Sequence, residues 1–404
     1  MSEERGTPET AADDDRGILG HSTRLFTIAG IEIRLDTSVV VIFALIVFSL
    51  ATGVFPNWHP DWSPWLTWGT ALVSGVLFFV SLLAHELAHS VVAQRYGIRV
   101  PRITLFLFGG MAETAEEPAD AKQEFLIAVA GPIMSLAIGF ACGLLASLAL
   151  PAGVGDGLAE GDPTVLAELS PATTCLLWLG SINVILGIFN LIPGFPMDGG
   201  RVFRAAIWAY SGDQIKATRW ASWGGRTFGW ALMALGVLNL FSGQGLGGIW
   251  YILIGWFISN IARMSYTQLL TTRALQGFRV VDLMNTRQDS VPADLALETF
   301  IDDHLLRSTQ QVWPVRDGER LLGFVCLPDV VAVDSEARPG KRVGDVMRPV
   351  DRMPSLDADA GARRALEELG RAEIEPLPVM RRGELVGFLA QGDVMRWMSL
   401  HEIA

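Results

Sequence analysis

Two histidines and a glutamate interrupt an otherwise apolar stretch, "SLLAHELAHSVVAQRYG" at residues 81–97. His85, Glu86 and His89 have the spacing HExxH, and residues four apart lie on one face of a helix. Two imidazoles on one face can ligate a metal ion such as zinc, while the adjacent glutamate can accept a proton from an attacking water. Ionisable groups inside a membrane segment are costly and usually functional. We therefore interpret His85 and His89 as metal ligands and Glu86 as a general base.

A catalytic zinc site needs a third protein ligand and one open position. The remaining histidines lie in the N-terminal tail, a loop and the C-terminal part, at His21, His59, His304 and His401. None is well placed, so a carboxylate is expected. Asp198 in "NLIPGFPMDGGR", residues 190–201, reaches the same membrane depth as the histidines in the predicted topology. The prolines and glycines there cannot continue a regular helix, which fits either a helix end at the interface or backbone that lines a polar cavity. We favour the metal-ligand interpretation because it supplies the missing carboxylate.

The elements that must position these residues are apolar segments. The chain has 404 residues, half of them hydrophobic, and a mean hydropathy of +0.35, too apolar for an ordinary soluble protein. Segments long enough to cross a bilayer lie at roughly residues 38–55, 67–94, 124–150, 171–192, 226–242 and 247–265. The fifth is short and interrupted by glycines. About six transmembrane helices are therefore predicted.

Positive charge orients this bundle. The loops at 54–66, 151–170 and 242–247 contain no lysine or arginine, whereas the alternate segments are basic. Those basic residues include Arg16, Arg24, Arg34, Arg95, Arg99, Arg102, Lys122, Arg201, Arg204, Lys216, Arg219, Arg263 and Arg273. The positive-inside rule then predicts a multi-pass cell-membrane protein with both termini in the cytoplasm.

Composition excludes several other classes. No basic region precedes a short apolar run at the N-terminus, so we see no cleavable signal peptide. The three cysteines, Cys142, Cys175 and Cys326, have no paired spacing and indicate neither disulfides nor a cysteine metal site. The net charge of −12 gives no indication of nucleic-acid binding.

The membrane region resembles the site-2 protease family of intramembrane zinc metalloproteases, in the bacterial six-span branch with C-terminal CBS domains. The resemblance is carried by HELAH at 85–89 and by the motif from Asn190 to Gly199. "RITLFLFGGMAE" at 102–113 resembles the family's membrane-associated hairpin, and "EFLIAVAGPIMS" at 124–135 resembles its third core helix.

The resemblance implies a role for each matching residue. His85, His89 and Asp198 would bind one Zn²⁺, and Glu86 would act as general base and then as proton donor. Asn190, with Pro193 and Pro196 behind it, would position the substrate or stabilise the oxyanion, although a helix-capping or interhelical hydrogen bond explains Asn190 almost as well. Asn183 lies on nearly the same helix face and would support the site.

A repeat with a period of 63–64 residues follows the membrane region. "VDLM" at 281–284 returns as "GDVM" at 344–347, and "VWPVRDGERLLGFVCLPDV" at 312–330 returns as "PLPVMRRGELVGFLAQGDV" at 376–394. The repeats resemble paired CBS motifs, a Bateman module, which in that family often binds an adenine nucleotide. Asp329 and Asp393 match the family's nucleotide-contacting aspartates, but Cys326 and Ala390 replace its hydroxyl residues. A structural or dimerising module is the alternative.

The predicted fold is thus a polytopic α-helical membrane protein with a C-terminal soluble α/β CBS-pair domain. The predicted domains are an acidic disordered cytoplasmic tail (1–22), a transmembrane metalloprotease domain (23–268) with a hairpin at about 98–118, a linker (269–278) and CBS domains at 279–336 and 337–404.

These features together predict an endopeptidase that cleaves transmembrane substrates near the cytoplasmic face under control of its CBS domains. The family resemblance implies regulated intramembrane proteolysis of a membrane-bound transcription factor or an anti-sigma factor, and a homodimer could form through the CBS domains. Two alternatives stay open, namely a CBS-gated metal or solute transporter and an inactive protein that only binds membrane partners. Glu86 argues against the transporter, because transport needs ligands but no base.

Overall fold

The computed structural model describes residues 22–106, 109–114, 116–150, 154, 163–242, 247–275 and 277–401. The chain divides into two compact units, residues 1–266 and 267–404. The predicted acidic tail at 1–22 lies outside the described residues except for Ser22.

The first unit is built from seven helices among its described residues. They are α1 (Ser38–Trp58), α2 (Pro64–Arg95), α3 (Ala121–Leu148), α4 (Pro171–Asn190), α5 (Asp198–Ser211), α6 (Gln214–Phe241) and α7 (Gly247–Ala274), whose last residues belong to the second unit. A short 3₁₀ turn, Pro163–Glu168, precedes α4.

Capping residues explain where these helices begin. Ser63 and Ser170 accept hydrogen bonds from the first turns of α2 and α4, and a proline follows each at the first helical position. Asp120 caps α3 and Asp213 caps α6 in the same way. Helix α2 has 32 residues, about 48 Å at the usual rise, and is therefore longer than the bilayer core.

Four helices, α1 to α4, are long and apolar enough to cross a membrane among the described residues. The predicted count of about six spans is not confirmed. The predicted fifth and sixth segments lie in α6 and α7, where glycine, tryptophan, asparagine and arginine residues lower the mean hydropathy. These two helices pack closely through small residues: a Cβ added to Gly229 would lie 2.5 Å from the carbonyl oxygen of Gly255.

A four-stranded sheet, in the order β1-β2-β3-β4, covers one end of α2. Its strands are β1 (Ser22–Ile28), β2 (Ile31–Asp36), β3 (Arg102–Phe106) and β4 (Gly109–Glu113). The hairpins β1-β2 and β3-β4 are antiparallel, while β2 and β3 pair in parallel. Ile31, Ile33 and Ile103 are fully buried and pack in one cluster with Ala93 of α2 and Ile127 of α3. In this order β4 is an edge strand of the sheet.

The second unit contains two similar halves. Its helices are α8 (Val280–Leu283), α9 (Leu297–Phe300), α10 (Leu327–Val331), α11 (Val343–Val346), α12 (Ala362–Arg371) and α13 (Gln391–His401). Its strands are β5 (Val291–Pro292), β6 (Val312–Asp317), β7 (Arg320–Cys326), β8 (Arg348–Pro349), β9 (Leu356–Asp357), β10 (Leu377–Arg381) and β11 (Glu384–Leu389).

Each half of the second unit places a short strand parallel to the first strand of a hairpin. The sheets have the orders β5-β6-β7-β8 and β11-β10-β9. The two hairpin turns, 318–319 and 382–383, lie at equivalent places in the repeated sequence, and their first residues, Gly318 and Arg382, both adopt positive φ angles. The internal repeat of the sequence therefore corresponds to a repeated arrangement of strands.

Candidate metal centre and active site

Helix α2 presents both histidines to the interior of the first unit. His85 and His89 are 3% and 6% exposed, respectively. Their separation of four residues places both imidazoles on the buried face of the helix. The HExxH spacing therefore places the two imidazoles next to each other on α2.

Asp198 reaches the histidines from the loop between α4 and α5. This loop can fold tightly because glycines allow backbone to touch backbone. A Cβ added to Gly199 would lie 2.3 Å from the carbonyl oxygen of Leu191, and one added to Gly200 would lie 2.4 Å from the amide nitrogen of Phe195. Since no side chain fits at either position, the chain can turn sharply and begin α5 at Asp198.

The three candidate ligands form a compact triangle. Asp198 Oδ2 lies 3.1 Å from His85 Nε2 and 3.2 Å from His89 Nε2, and the two Nε2 atoms lie 3.2 Å apart. Ligands of a tetrahedral zinc ion with bonds of about 2.0–2.1 Å are separated by about 3.3 Å. The triangle therefore has the dimensions of one face of such a coordination sphere.

Hydrogen bonds on the far side of each ring orient the imidazoles. His89 Nδ1 lies 2.6 Å from the carbonyl oxygen of Ile127, and His85 Nδ1 lies 2.9 Å from Ser135 Oγ. A carbonyl can only accept, so His89 donates from Nδ1, and Nε2 is the nitrogen that faces the other ligands. Histidine ligands of metals are typically held by such a contact on the opposite nitrogen.

This arrangement fits a divalent cation. The two imidazole nitrogens and the carboxylate oxygen lie 3.1–3.2 Å from one another, so all three can bind the same cation. The donor set of two imidazoles and one carboxylate is also one that catalytic zinc uses. No other described group of three histidine, cysteine or acidic side chains has its donor atoms this close together.

Two glycines make room for the polar side chains. A Cβ added to Gly131 of α3 would lie 2.2 Å from His89 Nε2 and 2.6 Å from His85 Nε2. A Cβ added to Gly110 of β4 would lie 2.3 Å from Cγ of Glu86. The backbone of α3 thus lies directly against the ligand triangle, and the backbone of β4 lies directly against Glu86. The sequence contained both glycines within quoted motifs but did not indicate these contacts.

A buried ion pair connects the two helices that surround the site. Glu124 of α3 has a fully buried side chain, and Arg204 of α5 forms an ion pair with its carboxylate. The Arg204 guanidinium also lies 5.4 Å from the ring centroid of Phe195, in the loop that precedes Asp198. The sequence indicated Arg204 only as one of the basic residues that orient the protein in the membrane, and it did not predict this ion pair. A glutamate at the start of an apolar helix is the signal that could have indicated it.

The predicted asparagines and prolines differ in how they relate to the ligands. Asn190 is the last residue of α4, next to the Leu191 carbonyl that packs on Gly199. Pro193 lies in the same loop, with its carbonyl oxygen against α6, and Pro196 is exposed. Asn183 is fully buried but donates to the carbonyl oxygen of Leu179 in its own helix, at 2.9 Å. No hydrogen bond joins Asn183 to the ligand triangle in the described part of the chain.

The two aspartates of the CBS repeats lie in different surroundings. Asp329 accepts hydrogen bonds from the amide and thiol of Cys326 and forms an ion pair with Arg348 at 2.6 Å. Burial, together with Asp329, raises the pKa of the Cys326 thiol to about 12, so that the thiol stays protonated at neutral pH. Asp393 instead accepts a hydrogen bond from the Ala390 amide and lines a cavity of about 410 Å³.

Comparisons with known proteins agree with this geometry. The sequence profile of peptidase family M50 matches residues 74–235, which include His85, His89 and Asp198, and the CBS domain profile matches residues 343–400. The protein Rip3 of Mycobacterium tuberculosis is 34% identical over 382 residues, covering 93% of this chain and 93% of that protein.

A curated relative and a solved structure come from Methanocaldococcus jannaschii. Zinc metalloprotease MJ0392 is 26% identical over 385 residues, covering 95% of this chain and 98% of that protein. The solved structure of a site-2 protease from the same organism is 29% identical, with a TM-score of 0.42, and covers 61% of this chain and 95% of that chain. The M50 profile match and the similarity to Rip3 confirm the predicted family resemblance. This protein is a membrane metalloprotease that belongs to peptidase family M50, the site-2 proteases, and it carries a C-terminal CBS domain.

Proposed function

We propose that this protein is a zinc endopeptidase that cleaves transmembrane substrates at a peptide bond near the cytoplasmic face. The observation that carries the proposal is the triangle of His85, His89 and Asp198 donor atoms beside Glu86, on a helix long enough to cross a membrane. A site that only bound metal would need the ligands but not the adjacent carboxylate.

Each residue has a defined task in peptide hydrolysis. His85, His89 and Asp198 would hold the zinc ion, which would supply Lewis-acid polarisation of the scissile carbonyl. Glu86 accepts a proton from the attacking water and then donates it to the leaving amine. We propose that Asn190, at the end of α4, hydrogen-bonds the substrate backbone or stabilises the oxyanion. Pro193 and Pro196 stiffen this loop.

The edge strand β4 provides a surface on which a substrate can unwind. A helical peptide bond is shielded, so the substrate must become extended before cleavage. Pairing with β4 would satisfy the backbone groups that unwinding frees inside the membrane. Because Gly110 of β4 contacts Glu86, a strand added along β4 would pass close to the base.

The orientation follows from the distribution of basic residues. We infer that both termini are cytoplasmic and that α6 and α7 complete a six-span bundle, in which close glycine packing supplements a modest hydropathy. The ligand triangle then lies toward the cytoplasmic side of the bilayer, because HExxH belongs to the last third of α2. The substrates that suit this position are membrane-bound transcription factors and anti-sigma factors, released or degraded by regulated intramembrane proteolysis.

The CBS region is proposed to regulate this activity as a pair of domains that binds an adenine nucleotide or forms a homodimer. Support for nucleotide binding comes from the cavity at Asp393, whose other lining residues include Arg287, Ser308 and Thr309. These side chains provide a cation and hydroxyl donors for phosphate. Asp329 is less suitable, because its carboxylate already caps α10 and pairs with Arg348.

Thermal unfolding of the full-length protein with and without AMP or ATP tests the nucleotide proposal. We expect stabilisation that Asp393→Ala removes. The matched variant Asp329→Asn should lower the baseline stability but retain the nucleotide effect. An unchanged melting temperature at millimolar AMP and ATP would contradict nucleotide binding and leave dimerisation as the regulatory route.

Metal content and catalysis are separated by comparing variants. Purified wild type should contain one zinc ion per chain, and Glu86→Gln should retain it but cleave no substrate. Asp198→Asn and His89→Ala should lose both zinc and activity. If Glu86→Gln retained hydrolysis of a substrate that the wild type cleaves, Glu86 would not be the base.

Quantitative membrane proteomics can identify the substrate. Cells that express Glu86→Gln should accumulate a full-length membrane protein, or a membrane-bound stub of it, that cells with the wild type process. If no membrane protein changes while metal or solute uptake does, the protease proposal fails and a transport function replaces it.

A further inference from the structure

A second polar cavity lies between α6 and α7, apart from the ligand triangle. Its volume is about 370 Å³. The residues that line it are Arg219, Ser222, Trp223, Arg226, Arg263 and Tyr266. None of them belongs to the predicted catalytic or metal-binding set, so the cavity needs its own explanation.

The cavity concentrates positive charge. Three of its six lining residues are arginines, and none is acidic. Between residues 199 and 281 the only acidic residue is Asp213, which caps α6 and forms an ion pair with Lys216. An anion in this cavity would be attracted by the guanidinium groups that line it.

The cavity also offers oriented donors. The Arg226 guanidinium lies 5.5 Å from the ring centroid of Trp223 and 5.2 Å from that of Trp230, so two aromatic faces restrict its orientation. Ser222 is 3% exposed, and its Oγ has no hydrogen-bond partner in the described part of the chain. A buried hydroxyl without a partner is unfavourable, and Ser222 lines this cavity, so its hydroxyl is available to donate to a bound oxygen. Together these groups match a phosphate, which accepts forked bonds from arginine and single bonds from hydroxyls.

The location favours a phosphate that belongs to a lipid. The cavity lies at the basic ends of the predicted fifth and sixth spans, where the positive-inside rule places the cytoplasmic membrane surface. Trp220, Trp223 and Trp230 on the same part of α6 have 62%, 48% and 46% exposed side chains. Exposed tryptophans are typical of the level at which lipid headgroups lie. A ligand here would therefore have acyl chains beside it.

We propose that this cavity binds the phosphate of an anionic phospholipid headgroup. Arg226, held between two tryptophans, forms the forked contact, Arg219 and Arg263 neutralise the remaining charge, and Ser222 donates one hydrogen bond. The proposal does not depend on proteolysis, because the binding can be measured directly.

The bound headgroup would lie immediately behind the loop that carries Asp198. Gly224 and Gly225, in the same turn of α6 as Ser222 and Arg226, touch this loop: a Cβ added to Gly224 would lie 2.2 Å from the Pro193 carbonyl oxygen. The Phe195 amide also donates to the Ala221 carbonyl oxygen at 3.1 Å. A headgroup bound in the cavity would thus stabilise the turn of α6 that packs against the loop carrying Asp198.

The test measures lipid binding to the purified full-length protein in detergent. Native mass spectrometry and thermal unfolding are recorded with phosphatidylglycerol, phosphatidylcholine and inorganic phosphate in parallel. We expect phosphatidylglycerol to bind and to raise the melting temperature, and Arg226→Gln to weaken that binding at least about tenfold. Lys216→Gln is the matched control, because it removes one exposed positive charge from the same helix outside the cavity.

Ser222→Ala is a second test variant, which keeps the proposal testable if Arg226→Gln fails to fold. It should keep the melting temperature of the lipid-free protein and still weaken phosphatidylglycerol binding several-fold. Equal weakening by Arg226→Gln and Lys216→Gln would overturn the proposal, since it would show a general charge effect. Stabilisation by inorganic phosphate as large as that by phosphatidylglycerol would overturn the assignment to a lipid.

Discussion

Single residues decide how closely backbone can approach the catalytic side chains. Gly131 lies so close to the ligand histidines, and Gly110 so close to Glu86, that no side chain fits at either position. Their separate contacts make it possible to disturb metal binding and proton transfer one at a time. Gly143, in the same helix as Gly131, faces open space and provides a control.

Gly131→Ala is expected to weaken zinc binding. Its Cβ would lie 2.2 Å from His89 Nε2, so the rings must move away from Asp198. A loss of about 10- to 100-fold in zinc affinity is expected, as for other changes that misorient ligands. Titration with a competing chelator measures it. Gly143→Ala, in the same helix but with no atom near the added methyl group, should leave zinc affinity unchanged.

Gly110→Ala is expected to lower catalysis while zinc stays bound. The added methyl group would displace the Glu86 side chain, whose Cγ would be 2.3 Å away, but it does not reach the ligands. A loss of about 10²-fold in kcat is expected, because general-base catalysis depends on hydrogen-bond reach to the water. Zinc content measured on the same preparation provides the control. Loss of zinc together with activity would show that β4 shapes the whole site.

At the scale of elements, the site depends on three helices that must keep their relative positions. Helix α2 carries the histidines, α3 supplies the groups that orient them, and α5 begins with Asp198. The Glu124–Arg204 ion pair joins α3 to α5 in the interior of the unit. Its two charges are buried together, so each is stable only because of the other.

Arg204→Gln is expected to destabilise the first unit by about 3–5 kcal/mol, because it leaves the Glu124 carboxylate buried without a counter-charge. The double variant Glu124→Gln/Arg204→Gln should recover most of this loss, since no charge then stays unpaired. Unfolding of all variants in detergent measures both effects. Additive losses in the double variant would show that the pair contributes nothing as a pair.

At the scale of the whole molecule, the chain contains two compact units with different sources of stability. The first unit holds the ligand triangle, which connects residues more than a hundred positions apart in sequence. The second unit has hydrophobic clusters of its own and contains none of the three ligands. A ligand that binds only the folded form of one unit stabilises that unit.

Removal of zinc is therefore expected to destabilise the first unit alone. At a free zinc concentration one hundred times the dissociation constant, the ion contributes about 2.7 kcal/mol to the unit that binds it. Hydrogen exchange before and after treatment with a chelator should show faster exchange around α2 and α5, and no change in β6, β7, β10 and β11. Faster exchange in those strands would mean that the two units unfold together. Asp198→Asn should show no response to the chelator.

Several features could be predicted from local sequence because their physical cause is local. The HExxH spacing places two imidazoles on one helix face, whatever surrounds that helix. The family resemblance followed from the order of two motifs and is confirmed by the profile match and by Rip3. The six-span count is not confirmed because α6 and α7 lie near the limit of hydropathy, where composition no longer separates a span from a buried helix.

What the sequence determined by itself was the chemistry available, namely two imidazoles, one candidate carboxylate ligand, one base and a repeated C-terminal region. What only the tertiary structure decided was which distant groups meet. Ser135 and the Ile127 carbonyl orient the rings, Glu124 pairs with Arg204, and arginines from α6 and α7 share a cavity. The physical reason is that helix periodicity relates only near neighbours along one chain segment, whereas packing between helices depends on where small residues allow backbones to approach.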